Sequence, residues 1–159
     1  MLSQAERQAL IDKIAQFPDK VEAAAEGLNP EQLNTPYGVG KWTVEQVVHH
    51  LADAHLVAFA RMKVVLTEEH PAMMDYQQDL WADLPDVKGI PLSSSLTLLR
   101  GLHSRWRALL SGIPDSAWER WGIHAKRGRL TVEDMLVLYA GHGERHLKSI
   151  LDLRASRGW

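Results

Sequence analysis

The chain has 159 residues, of which 45% are hydrophobic and 24% are charged, and its formal net charge is −2. This composition predicts one ordinary domain over residues 1–159 and argues against a nucleic-acid partner. Cysteine is absent, which excludes disulfides, cysteine zinc sites and a cysteine nucleophile. No apolar run approaches the ~18 residues of a membrane span and no signal-peptide pattern is present, so we expect a cytoplasmic protein without a membrane partner.

Four long segments have the apolar periodicity of amphipathic helices. They cover residues 3–25, 43–67, 92–110 and 131–154. Ser3 and Thr43 each begin a capping box, and the fourth helix is predicted to start at Thr131. Pro18 is predicted to kink or split the first helix, because proline lacks the N–H that the helix needs. A short turn is expected to open at Asn29-Pro30.

The connections between these helices differ in length. Residues 68–91 join the second and third helices, and this length suggests a crossover, a lid or both. Residues 114–129 are predicted to form a short helical turn around Trp118, followed by a loop rich in Gly, Lys and Arg. No strand-like alternation is evident, so the sequence predicts an all-α fold, a four-helix bundle with a long crossover between helices 2 and 3.

Two histidines lie in the apolar stripe of the fourth helix. His142 and His146 are four residues apart and therefore share one helix face, one turn apart. Buried imidazoles need hydrogen-bond partners or a metal, and two at this spacing can reach one ion. Gly143 between them would let a neighbouring helix or a ligand approach closely.

The second helix carries two adjacent histidines that cannot share a face. His50 lies at the edge of the apolar stripe and is the candidate third metal ligand. His49 is predicted to point outward and to pair with Asp53 at the surface or at a subunit interface. His55 and His103 lie near the inner faces of their helices and remain reserve candidates.

The histidines have an alternative interpretation without a metal. An isolated inward histidine is more often a hydrogen-bonded core residue than a ligand. The pair His142/His146 together with His50 on another helix shifts the balance towards a metal site with open positions. Zinc is the first candidate metal, and nickel or ferrous iron also suit three neutral imidazoles.

Several separated runs of residues resemble the DinB/YfiT-like superfamily. The runs are Thr35-Pro36-Tyr37, Gly40-Lys41-Trp42-Thr43-Val44, Val47-Val48-His49-His50-Leu51-Ala52-Asp53, Leu102-His103-Ser104-Arg105-Trp106, the pair His142/His146 and Arg157-Gly158-Trp159. The resemblance covers nearly the whole chain. It implies a four-helix bundle with a metal held by His50, His142 and His146, and it implies a homodimer.

The resemblance also supplies the expected activity. Some members are described as metal-dependent hydrolases, and others transfer bacillithiol, mycothiol or a similar low-molecular-weight thiol to electrophiles. The resemblance leads us to expect thiol transfer in detoxification, with the thiol as co-substrate, and the absence of a cysteine that could compete for the metal fits this expectation. Hydrolysis by a metal-activated water is the alternative, although Glu144 should point away from the site and no His-Glu-x-x-His motif supplies a general base. Further alternatives are a non-catalytic metal-binding bundle and a plain helical dimer.

The chain departs from the family pattern within the fourth-helix motif. Related sequences often have more histidines where this chain has Gly143-Glu144-Arg145. Any role of those extra histidines therefore does not carry over. Asp53 is a further candidate, because it could orient a ligand imidazole through a hydrogen bond.

Overall fold

A computed structural model describes residues 1–159 and contains four long helices, which form the predicted bundle. The elements in chain order are α1 (Gln4–Ala25), α2 (Pro30–Leu33), α3 (Val44–Thr67), α4 (Gln78–Trp81), α5 (Pro85–Lys88), α6 (Leu92–Gly112), a 3-10 helix (Asp115–Glu119), β1 (Trp121–His124), β2 (Gly128–Thr131) and α7 (Val132–Arg157). None of these helices combines the length and the apolar character that a membrane span requires.

Three of the long helices begin with a capping box. The hydroxyls of Ser3, Thr43 and Thr131 each accept a hydrogen bond from the backbone N–H three residues later, and the side chain of that later residue accepts one from the cap backbone. These bonds satisfy N–H groups that have no partner within the helix. The predicted starts of α1 and α3 are thereby confirmed, and Asn29 caps the short α2 in the same way.

Helix α1 runs without interruption through Pro18, so of the predicted kink or split at this residue the split is wrong. Proline has no N–H to donate to the carbonyl of Ile14, one turn earlier. The Ile14 oxygen accepts a hydrogen bond from Nδ1 of His103 instead, at 2.5 Å. The neighbouring helix α6 thus occupies the acceptor that the proline leaves free.

The helices α1 and α3 face each other across the bundle, and each is flanked by α6 and α7. Helices α3 and α6 run parallel, because His55 meets His103 and, further along both helices, Met62 meets Trp106. Helices α3 and α7 run antiparallel, since His50 meets His146 and Arg61 meets Tyr139.

The connection between α3 and α6 is the predicted crossover. Because the two helices run parallel, the chain must return along the bundle, which is about 36 Å for 24 residues of α3. On its way the connection packs against α3, where the Gln46 amide donates to the carbonyl of Ala82 at 3.0 Å and Val87 is buried. The outer side of α3 is therefore covered as well as its inner side.

A two-stranded antiparallel hairpin lies where the sequence predicted only a loop. Trp121 pairs with Thr131 and His124 with Gly128. The crossover supports the first strand, because Ile123 donates to the carbonyl of Pro71 and accepts from Met73, both at 2.8 Å. Each strand has only four residues, which is too short for a periodic signal, and the supporting partner is remote in sequence. The preceding 3-10 helix confirms the predicted turn around Trp118.

The apolar core is divided into two clusters along the bundle axis. One cluster contains Ile14, Met62 and Trp106, and the other contains Val21 and Ile150. On each of three long helices, a histidine lies near the boundary between the two clusters. These are His55 on α3, His103 on α6 and His142 on α7. The fold therefore places a layer of imidazoles across the middle of the bundle.

Candidate metal centre

The three histidines proposed from the sequence lie together. His50 on α3 meets His142 and His146 on α7, and one ring nitrogen from each residue lies within 4.8 Å of the other two. The ring centroids of His142 and His146 are 4.7 Å apart, and that of His50 lies 5.6 and 4.8 Å from them. His50 is 3% exposed, whereas the other two rings are half-buried. This triad could hold a metal ion that remains accessible from one side.

The surroundings keep these imidazoles neutral. Burial lowers the pKa of His50 to about 3, and His146 and His142 add to the shift. Burial likewise lowers the pKa of His142 to about 3, with His146, Arg145 and Arg127 contributing, and it lowers the pKa of His146. A neutral imidazole has a free lone pair, which is the form that binds a metal.

Two nitrogens of the triad have no partner in the protein. Nε2 of His50 and Nδ1 of His142 are buried and make no hydrogen bond. Buried polar atoms in native proteins are rarely left in this state. A divalent cation with affinity for imidazole nitrogen, such as zinc, nickel or ferrous iron, fits the unpartnered His50 nitrogen and this donor set.

Trp42 forms one wall of the triad, and this was not predicted from the sequence. Its ring lies nearly parallel to that of His146, at an angle of 12° and a centroid distance of 6.0 Å, and 4.5 Å from the ring of His50. The residue directly precedes the Thr43 cap of α3, which fixes the direction of the chain at this point. The position before a helix cap has no periodic signal, so only proximity to the motif could have indicated it.

The predicted position of His49 is wrong. Its side chain is 3% exposed, and its Nδ1 lies 2.7 Å from Oγ of Ser95 at the start of α6. The prediction assumed that α3 buries a single face, but the crossover and α6 also cover the side on which His49 lies. A buried His49 makes no hydrogen bond with Asp53, and it offers no outward surface for a subunit interface.

The carboxylates near the triad do not contact its rings. Asp53 is half-buried and makes no hydrogen bond with a histidine, while burial and then the charge of Asp86 raise its pKa to about 6. Glu144 pairs with Lys13 of α1 at 3.5 Å. The expectation that Glu144 points away is therefore confirmed, and the structure gives no support to Asp53 as an orienting group for a ligand.

The reserve candidates His55 and His103 form a hydrogen-bonded chain beside the triad. Because a carbonyl only accepts, Nδ1 of His103 must carry the proton that it donates to Ile14. In the neutral ring Nε2 of His103 then accepts from Nδ1 of His55, at 2.8 Å. The remaining nitrogen of His55, Nε2, is left as a buried lone pair without a partner. The ring of His55 lies 5.8 Å from that of His142.

A cavity of about 600 Å³ lies against the triad, between α3, α7, the crossover and the hairpin. His142 lies in its lining together with Arg61, Tyr139 and His124. The guanidinium of Arg61 is buried and donates to the carbonyl of Met74 and, at 2.8 Å, to the hydroxyl of Tyr139. The cavity thus connects the candidate metal centre with a fixed positive charge.

The polar lining of this cavity was not identified from the sequence. Tyr139 lies one turn before His142 on the same face of α7, so its place beside the triad could have been inferred from the spacing. Arg61 lies two turns beyond Asp53 on α3 without any distinguishing pattern. Residues of the crossover and the hairpin reach the cavity only through the tertiary fold.

Comparisons with known proteins agree with this architecture. A family model described as the DinB superfamily matches residues 13–150. A protein of Geobacillus thermodenitrificans (strain NG80-2) is 43% identical over 150 residues, which are 94% of this chain and 84% of the relative. The protein YfiT of Bacillus subtilis (strain 168) is 40% identical over 159 residues, which are 99% of this chain and 89% of the relative. Both relatives are provisionally named as metal-dependent hydrolases.

A solved structure has the same fold. The structure of YfiT from Bacillus subtilis is described as that of "a probable metal-dependent hydrolase with an unusual four-helix bundle topology". It superimposes with a TM-score of 0.97 at 39% identity, over 100% of this chain and 91% of that one. The bundle and its sequence motifs, together with these matches, show that the chain belongs to the DinB superfamily.

Proposed function

We propose that this protein is a metal-dependent enzyme that transfers a low-molecular-weight thiol to electrophilic small molecules. His50, His142 and His146 hold one divalent cation in this proposal. The observation that carries it is the triad of neutral imidazoles beside an open cavity, with an unpartnered buried nitrogen on two of the rings. When bound, a divalent cation with open positions supplies Lewis-acid chemistry and lowers the pKa of a thiol or a water.

The charged groups around the triad favour a thiol as the nucleophile. Hydrolysis usually needs a general base beside the metal, and the carboxylate of Glu144 is paired with Lys13. In the cavity, Asp75 lies 3.4 Å from Lys126 and 3.8 Å from Arg61. A thiol needs less assistance, since its ordinary pKa of about 8.5 is already near neutrality. No cysteine of the chain could compete with it.

The residues around the cavity position the two substrates. Trp42 closes one side of the triad, and Tyr139 and Arg61 form part of the facing wall. The thiol sulfur forms a bond to the electrophilic carbon, the leaving group departs with its bonding pair, and the thiol proton passes to solvent. The cavity of about 600 Å³ is of the usual size for a small-molecule site.

Hydrolysis is the second candidate, and two observations favour it. The similar proteins are named as metal-dependent hydrolases. In addition, Nε2 of His55 carries a lone pair and has no hydrogen-bond partner. This nitrogen is a potential proton acceptor, because the ring of His55 lies near that of His142. In this alternative the cavity binds an ester or amide, and water takes the place of the thiol.

One pair of assays separates the candidates. Zinc- and nickel-loaded protein is incubated with 1-chloro-2,4-dinitrobenzene and a panel of thiols, and in parallel with p-nitrophenyl esters without a thiol. We expect thiol-dependent conjugation above the uncatalysed rate, lost in His50→Ala and kept in His70→Asn, which alters a histidine outside the triad. Ester cleavage without any conjugation would establish the hydrolase. Full metal loading without either activity would identify a non-catalytic metal-binding bundle.

A further inference from the structure

The cavity beside the triad has a wall that the proposed chemistry does not use. Arg61, Lys126 and Arg127 bring three cationic side chains to it, whereas Asp75 and Asp79 bring two carboxylates. The cavity lining therefore has an excess of positive charge, although the whole chain carries a formal net charge of −2. The lining therefore favours the binding of a negatively charged group.

Arg61 gives this wall a fixed charge with spare donors. Its side chain is buried, and Nε, Nη1 and Nη2 each donate one hydrogen bond, to Met74 or to Tyr139. A guanidinium has five N–H groups, so two remain outside these hydrogen bonds. The carboxylate of Asp75 forms an ion pair with Nη2 at 3.8 Å, but this distance is beyond hydrogen-bond range, so the ion pair occupies none of these N–H groups.

Tyr139 extends the donor set towards the triad. Its hydroxyl oxygen accepts from Arg61 at 2.8 Å, which leaves its own O–H free to donate. The ring of Tyr139 lies 6.3 Å from that of His142. Arg61, Tyr139 and His142 thus form a continuous path along the cavity, short enough for one small molecule to contact all three.

The hairpin contributes the free cation at the mouth of the cavity. Lys126 is already paired with Asp75 at 3.4 Å, but no carboxylate lies within 4.0 Å of Arg127. Arg127 lines the same cavity as His142, so its guanidinium can reach a small molecule bound beside the candidate metal centre. Arg127 is exposed on the hairpin turn, so it can be substituted without disturbing the core.

We propose that this cavity is an anion-binding subsite that holds a carboxylate group of a small-molecule substrate through Arg127, Tyr139 and Arg61. The subsite rests on the proposed function, because it positions a substrate whose reacting atom reaches the histidine triad. A planar carboxylate matches the paired N–H groups of arginine and accepts the tyrosine O–H. The substrate class is therefore an acidic small molecule, with the carboxylate on the thiol or on the electrophile.

The test compares three probes on the full-length protein by isothermal titration calorimetry. Mercaptosuccinate has a thiol and carboxylates, succinate has carboxylates only, and 2-mercaptoethanol has a thiol only. On zinc-loaded protein we expect mercaptosuccinate to bind about tenfold more tightly than 2-mercaptoethanol, as one charge-assisted contact provides. Arg127→Gln and Tyr139→Phe should weaken mercaptosuccinate and succinate and leave 2-mercaptoethanol unchanged. Arg105→Gln is the matched control, since it alters an exposed arginine of α6 outside the cavity.

The outcomes separate the subsite from the proposed function. Succinate binding to the metal-free protein, weakened by Arg127→Gln, supports the subsite even where no thiol transfer is found. Binding of 2-mercaptoethanol as tight as that of mercaptosuccinate would overturn the subsite and leave the transferase standing. Equal losses in Arg127→Gln and Arg105→Gln would also overturn it, because the effect would then be general electrostatics.

Discussion

Gly143 is the position at which the packing around the triad can be tested most sharply. A Cβ added at this residue would lie 2.4 Å from both Cε2 and Cζ of Phe17 and 3.0 Å from Cε1. The Phe17 ring cannot simply retreat, because the rings of His55 and His103 lie behind it at centroid distances of 5.0 and 5.7 Å. Gly143→Ala should therefore displace α1 from α7 or push Phe17 into the histidine chain.

The magnitude follows from two opposing effects. Overpacking a core costs about 1–3 kcal/mol, whereas replacing glycine by alanine inside a helix contributes about 1 kcal/mol in the favourable direction. Because the two effects oppose each other, we expect the free energy of unfolding to fall by up to about 2 kcal/mol in Gly143→Ala. Gly141→Ala is the matched control on the same helix, since its Cβ would meet only Nη1 of Arg145 at 3.5 Å.

Urea unfolding of the metal-free variants, followed by circular dichroism, measures both changes. Gly141→Ala should be at least as stable as the wild type, and Gly143→Ala should be less stable than Gly141→Ala by about 1–3 kcal/mol, the cost of overpacking. The double variant Phe17→Leu/Gly143→Ala should regain part of the loss, because the smaller side chain removes the clash. If Gly143→Ala proves as stable as Gly141→Ala, the close approach of α1 to α7 is refuted.

Three further predictions concern the histidines and their neighbours. The folded pKa of His50, about 3, lies below its unfolded value near 6.5, so its contribution to stability is complete above about pH 6.5 and is lost as the pH falls towards 3. Acid titration of the metal-free protein should show about 2 kcal/mol lost from this residue by about pH 5, and His50→Gln should show a shallower decline. His103→Leu leaves the Ile14 carbonyl and His55 Nδ1 without partners, so urea unfolding should show a loss of about 2–4 kcal/mol in the free energy of unfolding. Ser104→Leu alters the exposed neighbouring residue and is the control. A smaller loss in His103→Leu than in Ser104→Leu would contradict the hydrogen bonds of His103 with Ile14 and His55. Trp42→Ala should weaken zinc binding in a chelator competition several-fold more than Trp42→Phe, because only phenylalanine retains a ring against His146; equal affinities would show that the stacking is irrelevant.

The bundle and the triad were predictable because both depend on local periodicity. The capping boxes at Ser3 and Thr43 mark helix starts within four residues, and the spacing of His142 and His146 fixes their common face without knowledge of the fold. His50 followed from the apolar stripe of α3. The crossover followed from the length of the connection, which parallel helices require.

The errors arose where remote segments decide the environment. His49 is buried because the crossover and α6 cover a side of α3 that periodicity assigns to solvent. The unbroken α1 depends on His103, which lies on another helix and occupies the acceptor left free by Pro18. The hairpin depends on the backbone of Pro71 and Met73. The homodimer implied by the family resemblance stays a prediction.

The metal content of the protein tests the proposed triad most directly. Tag-free wild type, His50→Ala, His146→Ala and His70→Asn are offered zinc and nickel, and bound metal per chain is measured by mass spectrometry. We predict one ion per chain in the wild type and in His70→Asn, and loss of the ion in both triad variants. Little metal in the wild type, or full retention in His50→Ala, would mean that these histidines are core residues and would contradict the proposed metal centre.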